Sequence, residues 1–226
     1  PDSTTGARAL PIYQTSAFVF DDTADAAARF ALQKYGNIYS RVSNPTVASF
    51  EERVASLEGG LGAVATASGL SAQYITFASL VGQGDHIVSS ANLYGGSITQ
   101  LDVTLRRFGV ETTFVQSANP EDYAAAITEK TKLIYAETVA NPSGEIADIE
   151  GLAEVAHAHG IPLIIDSTIA TPYLCRPIEW GADVVIHSAT KFLGGHGTTL
   201  GGVVVESGRF DWNTDKFPLF DEPVAS

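Results

Sequence analysis

The stretch "ADVVIHSATKFLGGHG", Ala182–Gly197, joins a run of apolar residues to a loop of glycine, serine and threonine residues that contains Lys191. A short apolar run bounded by turn residues is typical of a buried strand. The loop that follows is too rich in glycine to contribute much to a core. The segment therefore predicts a buried strand that brings Lys191 to an open edge of a sheet.

Short apolar runs alternate with amphipathic runs along the chain from Gly60 onward. This pattern predicts an α/β fold, in which a mostly parallel seven-stranded sheet has helices on both faces. The predicted strands are residues 63–67, 86–89, 111–115, 131–137, 162–166, 182–187 and 202–205. The predicted helices are residues 23–30, 70–80, 95–108, 121–127, 149–159 and a short piece around Pro177.

The first 45 residues differ from the rest of the chain, because they contain several turn formers and a single predicted helix. We interpret residues 1–45 as an extended arm and residues 46–226 as one large domain. The chain ends in a proline-containing stretch, "FPLFDEPVAS", without a closing helix or strand. We therefore expect that the chain is truncated.

The composition is that of a globular protein, with 45% hydrophobic and 17% charged residues among 226. The formal net charge of −13 argues against binding to the phosphate backbone of nucleic acids. No apolar run reaches the roughly 18 residues that a membrane helix needs. The single cysteine, Cys175, cannot form an internal disulfide. We expect no nucleic acid or membrane partner, and a reducing cytoplasmic setting.

Polar and glycine residues follow five of the predicted strands, in the segments "ASG", "SANLYGG", "ETVANPSG", "DSTIATP" and "HSATK". Ligands of parallel sheets bind at the carboxyl ends of the strands, so these segments are expected to form the site. Ser68 and Gly69 could present the first N–H groups of a helix to an anion, and Ser188 and Thr190 could add hydroxyl donors. The alternative is that these residues only cap a helix and turns.

Asp166 ends one predicted buried strand, Lys191 lies in the loop that follows another, and each residue allows two interpretations. Asp166 could be the counter-ion of a protonated ring nitrogen, or it could cap the backbone of its own loop. Lys191 could be a solvated lysine, or an amine that forms a Schiff base. Pyridoxal phosphate (PLP) needs such a lysine, an acid for its ring nitrogen, a phosphate cradle and a flat ring partner. Tyr94 is the candidate for the ring partner, against the alternative of an ordinary aromatic residue.

The ordered set "YSR", "ASG", "LYGG", "ETVANPSG", "DSTIATP" and "HSATKFLGGHGTTLGG" resembles the PLP-dependent enzymes of cysteine and methionine metabolism. The resemblance covers nearly all of the chain. It implies the large domain of the fold-type I, aspartate-aminotransferase-like PLP enzymes. Within the family, "NLYGGSITQLDVTLRRFGV" and "DWNTDKFPLFDEPVAS" are most similar to the O-acetylhomoserine sulfhydrylases.

The resemblance implies a role for each residue around the cofactor ring. Lys191 would hold PLP covalently and move protons, and Asp166 would keep the pyridine nitrogen protonated. Tyr94 would stack on the ring and assist proton transfer. Asn141 would hydrogen-bond the phenolic oxygen of the ring, and Thr168 would lie beside the ring.

The resemblance also implies how the phosphate is held. The backbone amides of Gly69 and Leu70, together with Ser68, Ser188 and Thr190, would bind it. Two further family residues match Tyr39 and Arg41. They would reach a neighbouring subunit, where they bind its phosphate and complete its catalytic site. This implies a homo-oligomer, a dimer of dimers, with active sites shared between subunits.

The activity implied is γ-replacement on O-acetyl-L-homoserine by sulfide or methanethiol, which gives homocysteine or methionine plus acetate. Cystathionine γ-synthase and methionine γ-lyase activities are the alternatives within the family. Gly96 follows "LYG" where methionine γ-lyases tend to carry cysteine. This difference makes methionine γ-lyase the less favoured activity. The resemblance also implies a smaller C-terminal domain, which we expect to be absent from this chain. In the family that domain supplies the arginine that binds the substrate α-carboxylate, and no residue here matches it.

Three other classes of protein are alternatives. A nicotinamide-dependent dehydrogenase would share the alternating pattern, but no G-x-G-x-x-G follows the first predicted strand. A cofactor-free structural fragment would leave Lys191 solvated. For metal catalysis, His157 and His159 would point to different faces of a helix, and no third ligand accompanies His187 and His196. The sequence predicts no metal site.

Overall fold

The computed structural model describes residues 5–220, which fall into two compact units, Pro1–Arg53 and Val54–Ser226. The last residues of the stretch "FPLFDEPVAS", from residue 221 onward, lie outside the described part. Within residues 5–220, no helix is both long and apolar enough to cross a membrane.

The first unit contains helix α1, Thr23–Phe30, as predicted. The Asp22 side chain caps this helix by accepting a hydrogen bond from the Asp25 N–H group at 2.7 Å. An isolated antiparallel bridge joins Ala17 to Tyr39. A second helix, α2, Pro45–Glu58, was not predicted and runs across the boundary between the units. The reach of residues 1–45 to a neighbouring subunit stays a prediction.

The second unit contains the predicted sheet of seven strands, in the order β1-β7-β6-β5-β4-β2-β3. The strands are β1 Gly62–Thr66, β2 His86–Ser90, β3 Glu111–Val115, β4 Thr131–Glu137, β5 Leu163–Asp166, β6 Val184–His187 and β7 Gly202–Glu206. All pairings are parallel except those of β7, which is antiparallel to β1 and to β6. The fold class predicted from the sequence is therefore confirmed.

The helices of the second unit follow the predicted alternation. They are α3 Gly69–Leu80, α4 Gly95–Thr99, α5 Pro120–Ala126, α6 Ile149–Ala158 and α7 Thr171–Leu174. A 3-10 turn at Pro177–Trp180 corresponds to the short piece expected there.

The segment predicted as one helix over residues 95–108 changes its winding twice. It begins as α4, continues as a π-helix at Gln100–Thr104 and ends as a 3-10 helix at Leu105–Phe108. Residues Thr99, Val103 and Thr104 are β-branched and have low helix propensity, so packing decides the backbone here. The side chains of Leu101 and Leu105 are both in the core, and the changed winding accommodates them.

Helices cover both faces of the sheet. Every residue of β5 and of β6 is buried, although successive side chains of a strand point to opposite faces. On one face, Phe77 of α3 packs edge-on against Tyr135 of β4, with ring centroids 5.1 Å apart. Helices α5 and α6 contact β2, β3, β4 and β5. The helix layers leave the carboxyl ends of the strands free to form a site.

Candidate active site

The carboxyl ends of β1, β2, β4, β5 and β6 meet at one edge of the sheet, around a cavity of about 480 Å³. Ten residues predicted for the site line this cavity: Ser68, Gly69, Leu70, Tyr94, Asn141, Asp166, Thr168, Ser188, Thr190 and Lys191. Six further residues line it: Gln73, Glu137, Val139, Ile169, Phe192 and Leu200. The structure thus brings together every predicted site residue of the second unit.

The amino end of α3 offers N–H groups to the cavity. The Ser68 hydroxyl caps the helix by accepting a hydrogen bond from the Ser71 N–H group at 3.2 Å. The first N–H groups of a helix, here those of Gly69 and Leu70, have no partner within the helix and attract anions. A Cβ atom at Gly69 would lie 2.6 Å from the Ser188 Cβ atom. Only glycine therefore allows this close approach of helix and strand end.

A hydrogen bond joins the loop after β6 to the loop after β5. The Ser188 N–H group donates to the Thr168 hydroxyl oxygen at 2.8 Å. The Thr190 hydroxyl donates to the Gly201 carbonyl oxygen at 3.2 Å and accepts from the Gly201 N–H group at 3.1 Å. A contact between Thr190 and an anion would replace the bond to this carbonyl.

Asp166, at the end of β5, is 8% exposed. Its Oδ1 atom accepts a hydrogen bond from the Thr168 N–H group at 2.9 Å, and its Oδ2 atom accepts one from the Gln73 amide at 3.0 Å. Among residues 5–220, no cationic side chain forms an ion pair with it. A buried carboxylate without a cationic partner suits the binding of a cationic group in the cavity.

Lys191 lies on the tight loop after β6. Its N–H group donates to the Ser188 carbonyl at 3.1 Å, while its side chain is exposed. In the described part of the chain, its ammonium group has no hydrogen-bond or ion-pair partner. A Cβ atom at Gly194 would lie 2.6 Å from the Ala189 carbonyl oxygen, so the loop needs glycine to turn back. The arrangement leaves the amine available to a ligand.

Glu137, at the end of β4, connects the two segments that carry Tyr94 and Asn141. Its Oε1 atom accepts a hydrogen bond from the Tyr94 N–H group at 2.8 Å, and its Oε2 atom accepts one from the Asn141 N–H group at 2.9 Å. Burial is the main cause that raises the pKa of Glu137 from 4.5 to about 7. The hydrogen bonds from the two N–H groups act in the opposite direction and lower the pKa. The nearby charge of Asp166 adds to the increase. Tyr94 itself is half exposed.

Tyr39 and Arg41 belong to the first unit. The Arg41 guanidinium lies 5.6 Å from the centroid of the Tyr39 ring, and 44% of Tyr39 is exposed. Their predicted role at the phosphate of a neighbouring subunit stays a prediction.

Two polar residues of the cavity were not assigned a role from the sequence. Glu137 ends a buried strand, as Asp166 does. A buried carboxyl group needs hydrogen-bond or cationic partners, and this was the available signal for Glu137. Gln73 lies in the buried stripe of α3, where Ala72, Thr76 and Phe77 are also buried. A polar side chain on the core-facing stripe of a helix was the available signal for Gln73.

A larger groove, of about 790 Å³, lies at the opposite ends of the strands. It is lined by the first residues of two strands, His86 of β2 and Glu111 of β3, and by Thr128, Glu129 and Lys130 just before β4. Both ring nitrogens of His86 are hydrogen-bonded, to the hydroxyl groups of Thr131 and Thr113 at 2.8 Å and 2.9 Å. Burial lowers the pKa of His86. The groove contains none of the predicted site residues, and we assign the site to the smaller cavity.

The chain belongs to the Cys/Met metabolism PLP-dependent enzyme family, whose model matches residues 1–220. It is 55% identical to a sulfhydrylase of Fusarium oxysporum, over all of this chain and 53% of that protein. It is 48% identical to an O-acetyl-L-homoserine sulfhydrylase of Leptospira meyeri, over all of this chain and 51% of that protein.

A crystal structure from Campylobacter jejuni, described as an O-acetylhomoserine (thiol)-lyase, contains N'-pyridoxyl-lysine-5'-monophosphate. It superposes with a TM-score of 0.93 and 38% identity over 96% of this chain and 55% of that one. The family and its dependence on PLP, both expected from the resemblance, are confirmed. The chain spans about half the length of the curated relatives that it matches.

Proposed function

We propose that this protein is a PLP-dependent transferase that acts on O-acetyl-L-homoserine. It replaces the acetate group on the γ-carbon by sulfide or methanethiol, which gives homocysteine or methionine plus acetate. The observation that carries the proposal is the convergence of Lys191, Asp166 and the amino end of α3 on one cavity. The substrate class is supported by relatives named O-acetyl-L-homoserine sulfhydrylase at 48% and 50% identity.

The cavity fits PLP in three respects. Its volume of about 480 Å³ lies in the range of small-molecule sites. The unpartnered amine of Lys191 can attach the aldehyde, and the buried carboxylate of Asp166 can accept a hydrogen bond from the ring nitrogen. Gly69 leaves open the cradle that a larger residue would fill against Ser188. These features support the binding of the cofactor.

The residue roles that we propose follow the chemistry of each group. The N–H groups of Gly69 and Leu70, with the hydroxyls of Ser68, Ser188 and Thr190, bind the phosphate. Asn141 donates to the phenolic oxygen, Thr168 lies beside the ring, and Tyr94 stacks on it.

When bound, PLP withdraws electrons from the substrate α-carbon. The amine of Lys191 would take the α-proton of the substrate and then a proton from the β-carbon. Loss of a β-proton would allow the γ-carbon to oxygen bond to break, and acetate would leave. The sulfur of the thiol would then form the new bond at the γ-carbon, the α- and β-carbons would regain their protons, and the thiol proton would leave with acetate. Tyr94 would assist these proton transfers.

The experiment that tests the proposal measures products from the purified protein with PLP. O-acetyl-L-homoserine with sulfide is expected to yield homocysteine and acetate in equal amounts. Cysteine as the sole acceptor tests cystathionine γ-synthase activity, and methionine without an added thiol tests γ-lyase activity. A faster reaction in either of these two arms would replace the proposed activity. No turnover and no uptake of PLP would indicate a cofactor-free fragment.

We also propose a cytoplasmic homo-oligomer, a dimer of dimers, in which Tyr39 and Arg41 complete the neighbour's site. Tyr39 is 44% exposed and can therefore contact a second copy of the chain, which supports the proposal. A mixture of Arg41→Ala and Lys191→Ala chains would then form hybrid dimers with one intact site. Random pairing would restore about one quarter of the wild-type activity. No restoration, with hybrids detected, would contradict sharing.

A further inference from the structure

The Gln73 side chain lies against three oxygen atoms at the base of the cavity. Its Nε2 atom is 2.7 Å from the Tyr135 hydroxyl oxygen, 3.0 Å from Asp166 Oδ2 and 3.0 Å from the Ser97 hydroxyl oxygen. Gln73 is 3% exposed. An amide nitrogen carries two hydrogens, so it can donate to two of these oxygens at once. A carboxylate only accepts, so one of the hydrogens belongs to Asp166.

The charge of Asp166 determines which way the Gln73 amide points. If the two amide atoms exchanged places, Oε1 would face Asp166 Oδ2, and two acceptors would be in contact. The observed orientation avoids this contact but leaves Oε1 buried without a hydrogen-bond partner in the part of the chain that the structure describes. A buried acceptor without a partner costs free energy. The amide therefore leaves its oxygen unpaired and donates to Asp166.

The two oxygens of Asp166 are each held by one donor. Thr168 N–H holds Oδ1, and Gln73 holds Oδ2. A carboxylate oxygen has two lone pairs, so each oxygen keeps one for a further donor. The plane of the carboxylate is therefore fixed from two sides while it can still accept from a ligand in the cavity.

The hydroxyl of Tyr135 supports the same arrangement. Tyr135 is fully buried, and burial raises its pKa well above the ordinary value, with further increases from the charges of Asp166 and Glu137. It therefore remains a phenol that can accept from Gln73 and donate to Ser97. The titratable groups around this network are Tyr94, Tyr135, Glu137, Asp166 and Lys191.

We propose that Gln73 is a positioning residue that fixes the Asp166 carboxylate in the direction needed to hold the protonated ring nitrogen of the cofactor. The inference rests on the proposed function, since it concerns the PLP site. It assigns a role to a helix residue that was invisible in the strand-end motifs. Gln73 itself acts through Asp166.

The test uses two variants and a matched control. Gln73→Met keeps the length of the side chain and removes the donor. Gln73→Glu keeps the shape and supplies a donor only when the new carboxyl is protonated. Thr76→Val is the control, because Thr76 is buried in the same helix, and its hydroxyl bonds only the Ala72 carbonyl outside the network.

PLP affinity and the ¹⁵N chemical shift of PLP labelled at its ring nitrogen are the readouts. Loss of one hydrogen bond to a charged group predicts that Gln73→Met weakens PLP binding by about tenfold to a hundredfold. The ¹⁵N shift should move toward that of the unprotonated ring. Thr76→Val should match the wild type in both. Wild-type affinity together with a wild-type ¹⁵N shift in folded Gln73→Met would overturn the proposal.

Gln73→Glu keeps the proposal testable if Gln73→Met does not fold. Two carboxylates 3.0 Å apart repel when both are ionised, so the free energy of unfolding of this variant should fall from pH 5 to pH 8 relative to the wild type. A wild-type pH profile in this variant would overturn the proposal.

If the wild-type protein takes up no PLP, the proposed function has failed. Urea unfolding of the apoprotein then still tests the contact. The stability of Gln73→Glu should fall relative to the wild type as the pH rises. An unchanged difference would show that Gln73 does not act on Asp166.

Discussion

Glu137→Gln provides a quantitative test of the electrostatics at the base of the site. Glu137 is 7% exposed, and its pKa rises from 4.5 to about 7 on folding, chiefly through burial. The folded protein thus binds a proton that the unfolded chain has already released between these pH values. The stability contributed by this group is complete below pH 4.5 and is lost as the pH rises through about 7.

The size of the effect follows from the two pKa values. At about 1.4 kcal/mol for each pH unit, the loss amounts to at most about 3.5 kcal/mol, most of it between pH 5 and pH 8. Glutamine cannot ionise, so the variant lacks this loss. The free energy of unfolding of Glu137→Gln, relative to the wild type, should therefore rise by up to about 3 kcal/mol from pH 5 to pH 8.

Urea unfolding of the apoprotein, followed by the fluorescence of Trp180 and Trp212, measures this difference. Glu154→Gln on the exposed face of α6 is the control and should show no such trend. The amide can accept only one of the two N–H groups that Glu137 accepts, which adds a constant cost at every pH. A difference between Glu137→Gln and the wild type that stays constant from pH 5 to pH 8 would refute the reasoning.

Two further predictions concern the phosphate cradle and the first unit. Gly69→Ala should lower stability by about 1–3 kcal/mol and weaken PLP binding, because its Cβ atom would lie 2.6 Å from Ser188 Cβ. Gly62→Ala is the control in thermal unfolding and PLP titration, because a Cβ atom added at Gly62 would meet no atom within 4 Å. Equal effects of the two substitutions would contradict a phosphate-binding role of Gly69. The hydrogen bond from Lys34 lowers the pKa of the Asp25 carboxyl to about 2. An NMR titration should therefore find its midpoint near pH 2. Its stabilising effect is present above pH 3.8 and lost as the pH falls through about 2, so the stability difference between Asp25→Asn and wild type should shrink in acid. A midpoint near 3.8 would contradict this.

The sheet could be predicted from the sequence because its signal is local. Each apolar run is the length of a strand, and the alternation with helices limits the sheet to a few arrangements. The segment after Tyr94 could not be predicted in detail, because the change of winding at Gln100 depends on how Leu101 and Leu105 reach the core. Helix α2 was missed because its amphipathic pattern is weak.

The site residues at strand ends could also be predicted, since the carboxyl ends of parallel strands meet at one edge. Asp166 and Lys191 were found in this way, and both line the cavity. Gln73 reaches the cavity from inside a helix, and its contacts with Tyr135 and Asp166 join residues 62 and 93 positions apart. Such long-range contacts are not visible in a local motif.

The most direct test of the central claim is to identify the residue that carries the cofactor. The purified protein is mixed with PLP, reduced with borohydride and digested, and the labelled peptide is identified by mass spectrometry. The account predicts a visible absorption band that borohydride removes, with the reduced cofactor attached to Lys191 and no such band in Lys191→Ala. Label spread over surface lysines, or an unchanged band in Lys191→Ala, would contradict it.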